Sequence, residues 1–175
     1  MIGDFVNTLH KSIDPGVPDE EQLTSPGDLR SWMREHGVAP GDDLGAEDLS
    51  SAIEFREALR ALLWANNGAP LHPEALRALR EAAEQGLIRL EIDPEGQAVA
   101  RPAQAGVGAL FARLLAAVAD SQAAGTWERI KACAAEDCQW AFYDHSRNRS
   151  RAWCTMDVCG NRAKTRTYRA RRKQR

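Results

Sequence analysis

Four cysteines constrain this chain more than any other residues. They are Cys133, Cys138, Cys154 and Cys159, and the remaining sequence has none. They form two pairs, Cys133-Ala-Ala-Glu-Asp-Cys138 and Cys154-Thr-Met-Asp-Val-Cys159, each with four intervening residues, and fifteen residues separate the pairs. Two close-spaced thiolate pairs joined by a loop of this order can converge on a tetrahedral zinc ion, at about 2.3 Å per bond. Disulfides would need an oxidising compartment. The start, Met1-Ile2-Gly3-Asp4, has an acid where the basic region of a secretory leader belongs, and no long apolar run follows. The four-residue gaps also exclude a Cys-x-x-Cys redox motif. One structural zinc held by all four cysteines is expected, because a catalytic zinc keeps an open position and four cysteines leave none.

The charge changes sign at the same place. Residues 129–175 hold thirteen Lys or Arg against four Asp or Glu, a balance of +9. Residues 1–128 hold ten basic and twenty-one acidic residues, a balance of −11, so the near-neutral total of −2 hides a dipole along the chain. A four-thiolate zinc carries about −2, which leaves the tail strongly positive. The simplest partner for such a field is a polyanion, most commonly nucleic acid. The split divides the chain into an acidic domain over 1–128 and a small metal module over 129–175. Hydrophobic content of 43% is enough for a core, and no run reaches the length that spans a bilayer.

Along the first part, residues 4–10 read as a strand or the first turn of a helix, and residues 14–22 as a loop. Ser25-Pro26 opens a helix, with Ser25 as cap, Asp28 at the positive end, Leu29, Trp32 and Met33 inward, and Gly37 as terminator. A longer helix runs from about Asp48 to Asn67, with Phe55, Leu59, Leu62 and Leu63 inward and Glu54, Arg56, Glu57 and Arg60 on the outer side. Pro73 starts the next helix, with Leu76 and Leu79 inward, ending at Gly86. The period then changes to two: Ile88, Leu90 and Ile92 alternate with Arg89 and Glu91, the pattern of a half-buried strand. Asp93-Pro94-Glu95-Gly96 is a turn, Gln97–Arg101 the returning strand, and Leu110, Phe111, Leu114, Leu115 and Val118 the core face of a further helix. Trp32, Trp64 and Trp127 belong to the core. Asp4 and Asn7 suit capping or local hydrogen bonds.

In the metal module, Trp140, Phe142 and Tyr143 read as a strand, Ser146–Ser150 as a polar turn, and Arg151–Trp153 as the return toward the metal. A β-hairpin holding one cysteine pair near its ends is the economical arrangement. The aromatics are mainly structural, and His145 faces solvent or the hairpin, since the cysteines already fill a tetrahedron. After Cys159, residues Asn161–Lys173 contain no breaker and form a basic helix whose only large apolar residue is Tyr168. A helix charged nearly all round buries little and is better ordered against phosphates. The nucleic-acid candidates are Arg147, Arg149 and Arg151 of the turn and Lys164, Arg166, Arg169, Arg171 and Arg172 of the helix. Asn161 and Arg162 are assigned inward roles, Asn161 capping the helix and Arg162 bonding to the hairpin or a thiolate.

Cys133-Ala-Ala-Glu-Asp-Cys138-Gln-Trp-Ala-Phe-Tyr-Asp-His-Ser-Arg-Asn, Arg151-Ala-Trp-Cys154, Met156 and Cys159-Gly160-Asn161-Arg162-Ala-Lys164 together resemble the CGNR zinc finger proteins, named for the letters at 159–162. Asp4-Phe5-Val6-Asn7-Thr8 and Leu23-Thr24-Ser25-Pro26-Gly27-Asp28-Leu29 resemble the partner domain of that family, called ABATE. The resemblance implies a stress-related bacterial transcription regulator, cytoplasmic and nucleoid-associated when bound, that contacts DNA through the zinc module.

The expected architecture is mainly α with a small β-hairpin: a helical N-terminal domain, then a four-cysteine zinc module of hairpin followed by helix, treble-clef-like or ribbon-like. The chain reads as a binding protein, not an enzyme, since no Ser–His–Asp order, phosphate loop or framed pair of acids is present. Double-stranded DNA is the expected partner. RNA binding, or docking of the basic tail on an acidic protein, are the alternatives. The acidic domain would sense a small-molecule effector or form a homodimer.

Overall fold

A computed structural model describes residues 1–173 except Pro15; of Thr167, Ala170, Arg171 and Lys173 it describes the backbone alone. The chain runs α1 (Ile2–Val6), β1 (Leu9–His10), β2 (Glu20–Glu21), α2 (Pro26–Glu35), α3 (Ala46–Ala65), α4 (Pro73–Gln85), β3 (Ile88–Ile92), β4 (Ala98–Pro102), α5 (Val107–Ala123), β5 (Ile130–Ala132), β6 (Ala141–Tyr143) and α6 (Asn161–Lys173). It is mainly helical. Its strands form three separate antiparallel pairs, β1–β2, β3–β4 and β5–β6, each of two strands.

The helix punctuation follows local chemistry. Ser25 sits in extended backbone, and its hydroxyl accepts the Asp28 N–H at 3.2 Å, with Pro26 in the first turn. Gly37 takes φ +68° just beyond α2, a conformation that side chains resist. The Asp48 carboxylate closes the start of α3 by accepting the Gly45 N–H at 2.8 Å. α3 is the central element, with α1, α2, α4, α5 and β5 all packed on it. Phe5, Phe55 and Phe111 link α1, α3 and α5 through tilted ring contacts, with centroids 6.4 Å apart for Phe5–Phe55 and 4.8 Å for Phe55–Phe111. Trp32 lies against Phe5 at 5.0 Å and belongs to the core, as expected.

Three expectations are overturned. Arg56 and Arg60 are not on the outer side of α3: they are 1% and 2% exposed. Arg56 forks onto both carboxylate oxygens of Glu21 at 2.7 Å, and also donates to Thr8 Oγ1 and Glu57. Arg60 donates to the Val6 carbonyl at 2.6 Å and the Gln139 carbonyl at 3.1 Å. A guanidinium is buried only where its donors find partners, and these partners come from segments remote in sequence. Leu76 is exposed although Leu79 is buried, because α4 turns only the Ala78–Leu79–Ala82 edge inward. The β3–β4 hairpin is inverted relative to its pattern. Ile88, Leu90 and Ile92 face solvent, while Arg89, Glu91 and Arg101 line a cleft with α5 and residues 37–39.

Candidate metal centre and nucleic-acid interface

β5 leads into Cys133, and the chain returns through a tight turn at Ala135–Gln139 to β6. The turn is tied by Cys138 N–H to the Ala135 carbonyl at 2.9 Å and by Cys133 N–H to the Trp140 carbonyl at 2.9 Å. The first cysteine pair therefore sits at the closed end of the β5–β6 hairpin, with register Ile130↔Tyr143, Lys131↔Phe142 and Ala132↔Ala141. The strand partner of the aromatic segment thus precedes the first pair; residues 151–153, expected as the return, form no strand. Of the second pair, Cys154 precedes a wide helical turn, Met156–Gly160, and Cys159 lies on it; the turn runs directly into α6. Gly160 is buried there, and a Cβ would collide with the Met156 side chain and crowd the Trp153 ring.

The four sulfurs lie within 4.8 Å of one another, with Cys138–Cys154 at 3.6 Å and Cys154–Cys159 at 3.7 Å. Four sulfurs at about 2.3 Å from a tetrahedral zinc would be separated by about 3.8 Å, so the constellation has the size of a zinc shell. Its electrostatics point the same way. Hydrogen bonds from Cys138 and then Cys154 push the Cys133 thiol down. The hydrogen bonds to Cys133 and Cys154 push Cys138 up. Burial, then the neighbouring Cys133 charge, pushes Cys159 up to about 12. The cluster resists further ionisation unless a cation balances it, and zinc supplies that charge. Cys133, Cys138, Cys154 and Cys159 form one structural zinc site, packed against Ile13, Trp140 and Trp153.

Two acids of the module organise the basic residues around this site. Asp137, beside Cys138, accepts from Arg162 and, at 3.4 Å, from Arg166, so it ties α6 to the first cysteine turn. Arg162 is therefore inward, as expected, but its partner is a carboxylate. Asn161, expected inward as a cap, is instead exposed and donates to the Asp157 carbonyl at 3.1 Å. Asp144 is fully buried and accepts from Lys131 Nζ at 2.8 Å, the Ser146 N–H at 2.9 Å and the Arg151 N–H at 3.0 Å. Burial alone would raise its pKa, but these donors outweigh it and hold the carboxyl well below the usual carboxylate range. Lys131 also donates to the Arg149 carbonyl at 2.5 Å and the Arg151 carbonyl at 3.2 Å, and Arg129 donates to the carbonyls of Asp144 and Ser146. The 144–151 loop is thus built around a buried ion pair.

The candidate arginines separate. Arg147 is exposed, and among the described residues it has no hydrogen-bond or ion-pair partner. Arg149, held at φ +53°, reaches Glu128 at 2.8 Å. Arg151 turns back on the module: its guanidinium lies 5.1 Å from the Phe142 ring centre and donates to the carbonyls of Trp153 and Cys154. On α6, Lys164, Arg166, Arg169 and Arg172 are exposed; the Arg171 side chain lies outside the described residues. Arg162, Arg166 and Arg169 line one open groove with Asp157 and Val158.

Sequence reasoning missed the clamps that seat this module on the helices. Asn7 pairs with Ala141 through both edges of its amide, donating to the carbonyl at 3.0 Å and accepting from the N–H at 2.8 Å. Its role is not the local one expected: it completes β6 from 134 residues away. Asn66 Nδ2 donates to the Trp127 and Ile130 carbonyls, and Asn67 Nδ2 to those of Ala132 and Ala152. Ala132 and Ala141 accordingly lie in the main core. The signals available were thin. Asp137 and Asp144 are two of only four acids in residues 129–175, and scarce acids in a basic module invite pairing. Asn7 stood out in the sequence, but only for a local role, and nothing marked Asn66 and Asn67.

Among the described residues no helix is long and apolar enough to cross a membrane. The comparison with curated proteins found no match. A family model described as "CGNR zinc finger" matches residues 129–172. One described as "Putative stress-induced transcription regulator", ABATE, matches residues 1–126. With that model spanning well over half of its length and the four-cysteine site in place beyond it, the chain belongs to the ABATE family and carries a CGNR zinc finger.

Proposed function

We propose that this protein is a transcription regulator that binds double-stranded DNA through the zinc module and works in the bacterial cytoplasm. The observation that carries the reading is α6: Lys164, Arg166, Arg169 and Arg172 are exposed on a helix whose one large apolar side chain, Tyr168, is exposed as well. Such a helix has little to bury in its own fold and much to offer phosphates. The zinc shell and the Asp137–Arg162 contact anchor its start, so its charges are presented on a fixed base. Arg147, at the tip of the braced loop, adds a second point of contact. Arg149, Arg151 and Arg171 complete the proposed set, with Arg149 and Arg151 first leaving the partners described above. The acidic helical part, 1–128, is the proposed effector-sensing and dimerising domain and 129–175 the DNA-binding one. For a small anionic effector, the fitting place is the cleft of about 260 Å³ lined by Arg101 and Arg113, and by Arg89 in its pair with Glu91.

The test is duplex-DNA binding by the zinc-loaded full chain across a salt series, beside K164A/R169A/R172A and R147A and with single-stranded RNA as competitor. The log–log slope should fall by about one unit for each phosphate contact removed. No binding by the wild type at low salt would overturn the reading, and preferential displacement by RNA would redirect it to single strands.

A further inference from the structure

Among the described residues, the outer face of the β3–β4 hairpin gathers the most exposed aliphatic side chains. Leu90, Ile92 and Ile88 are 75%, 71% and 45% exposed. The cross-strand register makes the whole face apolar, since Ile88 stands opposite Pro102, Leu90 opposite Ala100 and Ile92 opposite Ala98. All charged side chains of the two strands, Arg89, Glu91 and Arg101, lie on the other face, toward α5. A two-stranded ribbon is marginal by itself, and an apolar sheet face in water is normally covered.

We infer that this face is covered by the same face of a second copy of the chain, in a two-fold dimer. Three properties select a second copy. The face carries no charge, so it offers nothing to a polyanion or to a charged peptide. It is self-matching: with the two-fold axis at Leu90, the hairpins cross antiparallel, Leu90 meets its counterpart, and Ile88 of each copy meets Ile92 of the other, which is the isologous pattern of a closed dimer. The antiparallel arrangement is also favoured electrostatically. It sets the acidic turns of the two copies, with Asp93 and Glu95, at opposite ends of the interface, while Arg89 and Arg101 stay on the far face and Arg89 is paired with Glu91. A parallel arrangement would set turn upon turn, carboxylates together. Covering the exposed aliphatic groups and the alanines opposite removes roughly 500 Å² per copy and roughly 1,000 Å² in the pair, the lower limit for specific association. An interface of this size suits a weak, reversible dimer.

This locates the dimerisation proposed for the acidic part and needs no DNA contact, so the experiment contains no nucleic acid and its failure leaves the DNA reading standing. Sedimentation of the zinc-loaded full chain over about 1–100 μM should show the mass rising from 19.3 kDa toward twice that value. L90D/I92D should remain at monomer mass across the same range, with unchanged far-UV circular dichroism and zinc content; Leu90→Ser provides the same test with a milder change. A short bis-maleimide should cross-link Leu90→Cys into covalent dimers, above the background of the zinc-loaded wild type. It should not cross-link Val99→Cys, on the cleft side of the hairpin. A wild type that stays monomeric throughout, a folded L90D/I92D that dimerises like the wild type, or equal cross-linking at 90 and 99 would each overturn the inference.

Discussion

Replacing Lys131 by Met should cost far more stability than a charge change in a basic, solvent-rich module would suggest. The lysine is 4% exposed and its ammonium holds three oxygens: Asp144 Oδ2 at 2.8 Å, the Arg149 carbonyl at 2.5 Å and the Arg151 carbonyl at 3.2 Å. Methionine fills most of the volume but donates nothing. Asp144 would keep the Ser146 and Arg151 N–H groups yet lose its one counter-charge among the described residues while fully buried. Breaking one partner of a buried pair costs about 3–5 kcal/mol. The two carbonyls add little, since Arg149 and Arg151 are exposed and water can reach that backbone. At about 2–4 °C per kcal/mol for a chain of this size, the melting temperature should fall by roughly 6–20 °C. The assay is thermal and urea unfolding in excess zinc, followed by far-UV circular dichroism, with bound zinc measured in parallel so that metal loss is not mistaken for the effect. K131M/D144N removes the stranded charge, but its single amide oxygen can accept from only one of the Ser146 and Arg151 N–H groups, which reach different carboxylate oxygens, so it should recover part of the loss. A K131M variant within about 1 kcal/mol of the wild type, as for a surface pair, or a double variant worse than the sum of the singles, would refute the reasoning.

Zinc removal should unfold more than the module. Ala132 and Ala141 lie in the main core and Asn7 is bonded to Ala141, so chelation should lower the melting of the whole chain in one transition; a separate, unshifted transition for residues 1–128 would count against this coupling. Asn7→Ala strands the Ala141 N–H and carbonyl and should cost about 2 kcal/mol by urea unfolding, whereas an effect near zero would show that β6 does not need this clamp. The remaining test concerns pH. Glu21 is half-buried, which raises its pKa, but the Arg56 fork and the Leu23 N–H hold it below the usual carboxylate range. Because its folded value is depressed, its stabilising contribution is complete above the unfolded value of about 4.3 and is lost as the pH falls through the folded value. The stability gap between wild type and Glu21→Gln should therefore be widest near neutrality and close below about pH 4; a gap constant with pH would refute the assignment.

Two kinds of information separate in this protein. What is written in neighbouring residues was legible: the cysteine spacing and its metal, the sign change near residue 129, the Ser25-Pro26 helix start and the breaker-free basic helix. Each rests on short-range chemistry or on composition, which the chain carries wherever it folds. The outer side of α3 and the inner side of β3 were misread for one reason. Periodicity reports which residues share a face, not which face the rest of the molecule covers. Arg56 and Arg60 go inward because Glu21, the Val6 carbonyl and the Gln139 carbonyl arrive there from other segments. Ile88, Leu90 and Ile92 go outward because α5 meets the opposite face of the hairpin. The zinc shell was determined by sequence alone, since four ligands at matched spacing suffice to specify it. How that shell is seated on the helices, through Asn7, Arg60, Asn66 and Asn67, was decided only by tertiary structure, because a buried backbone group takes its partner from whichever segment the fold brings within about 3 Å.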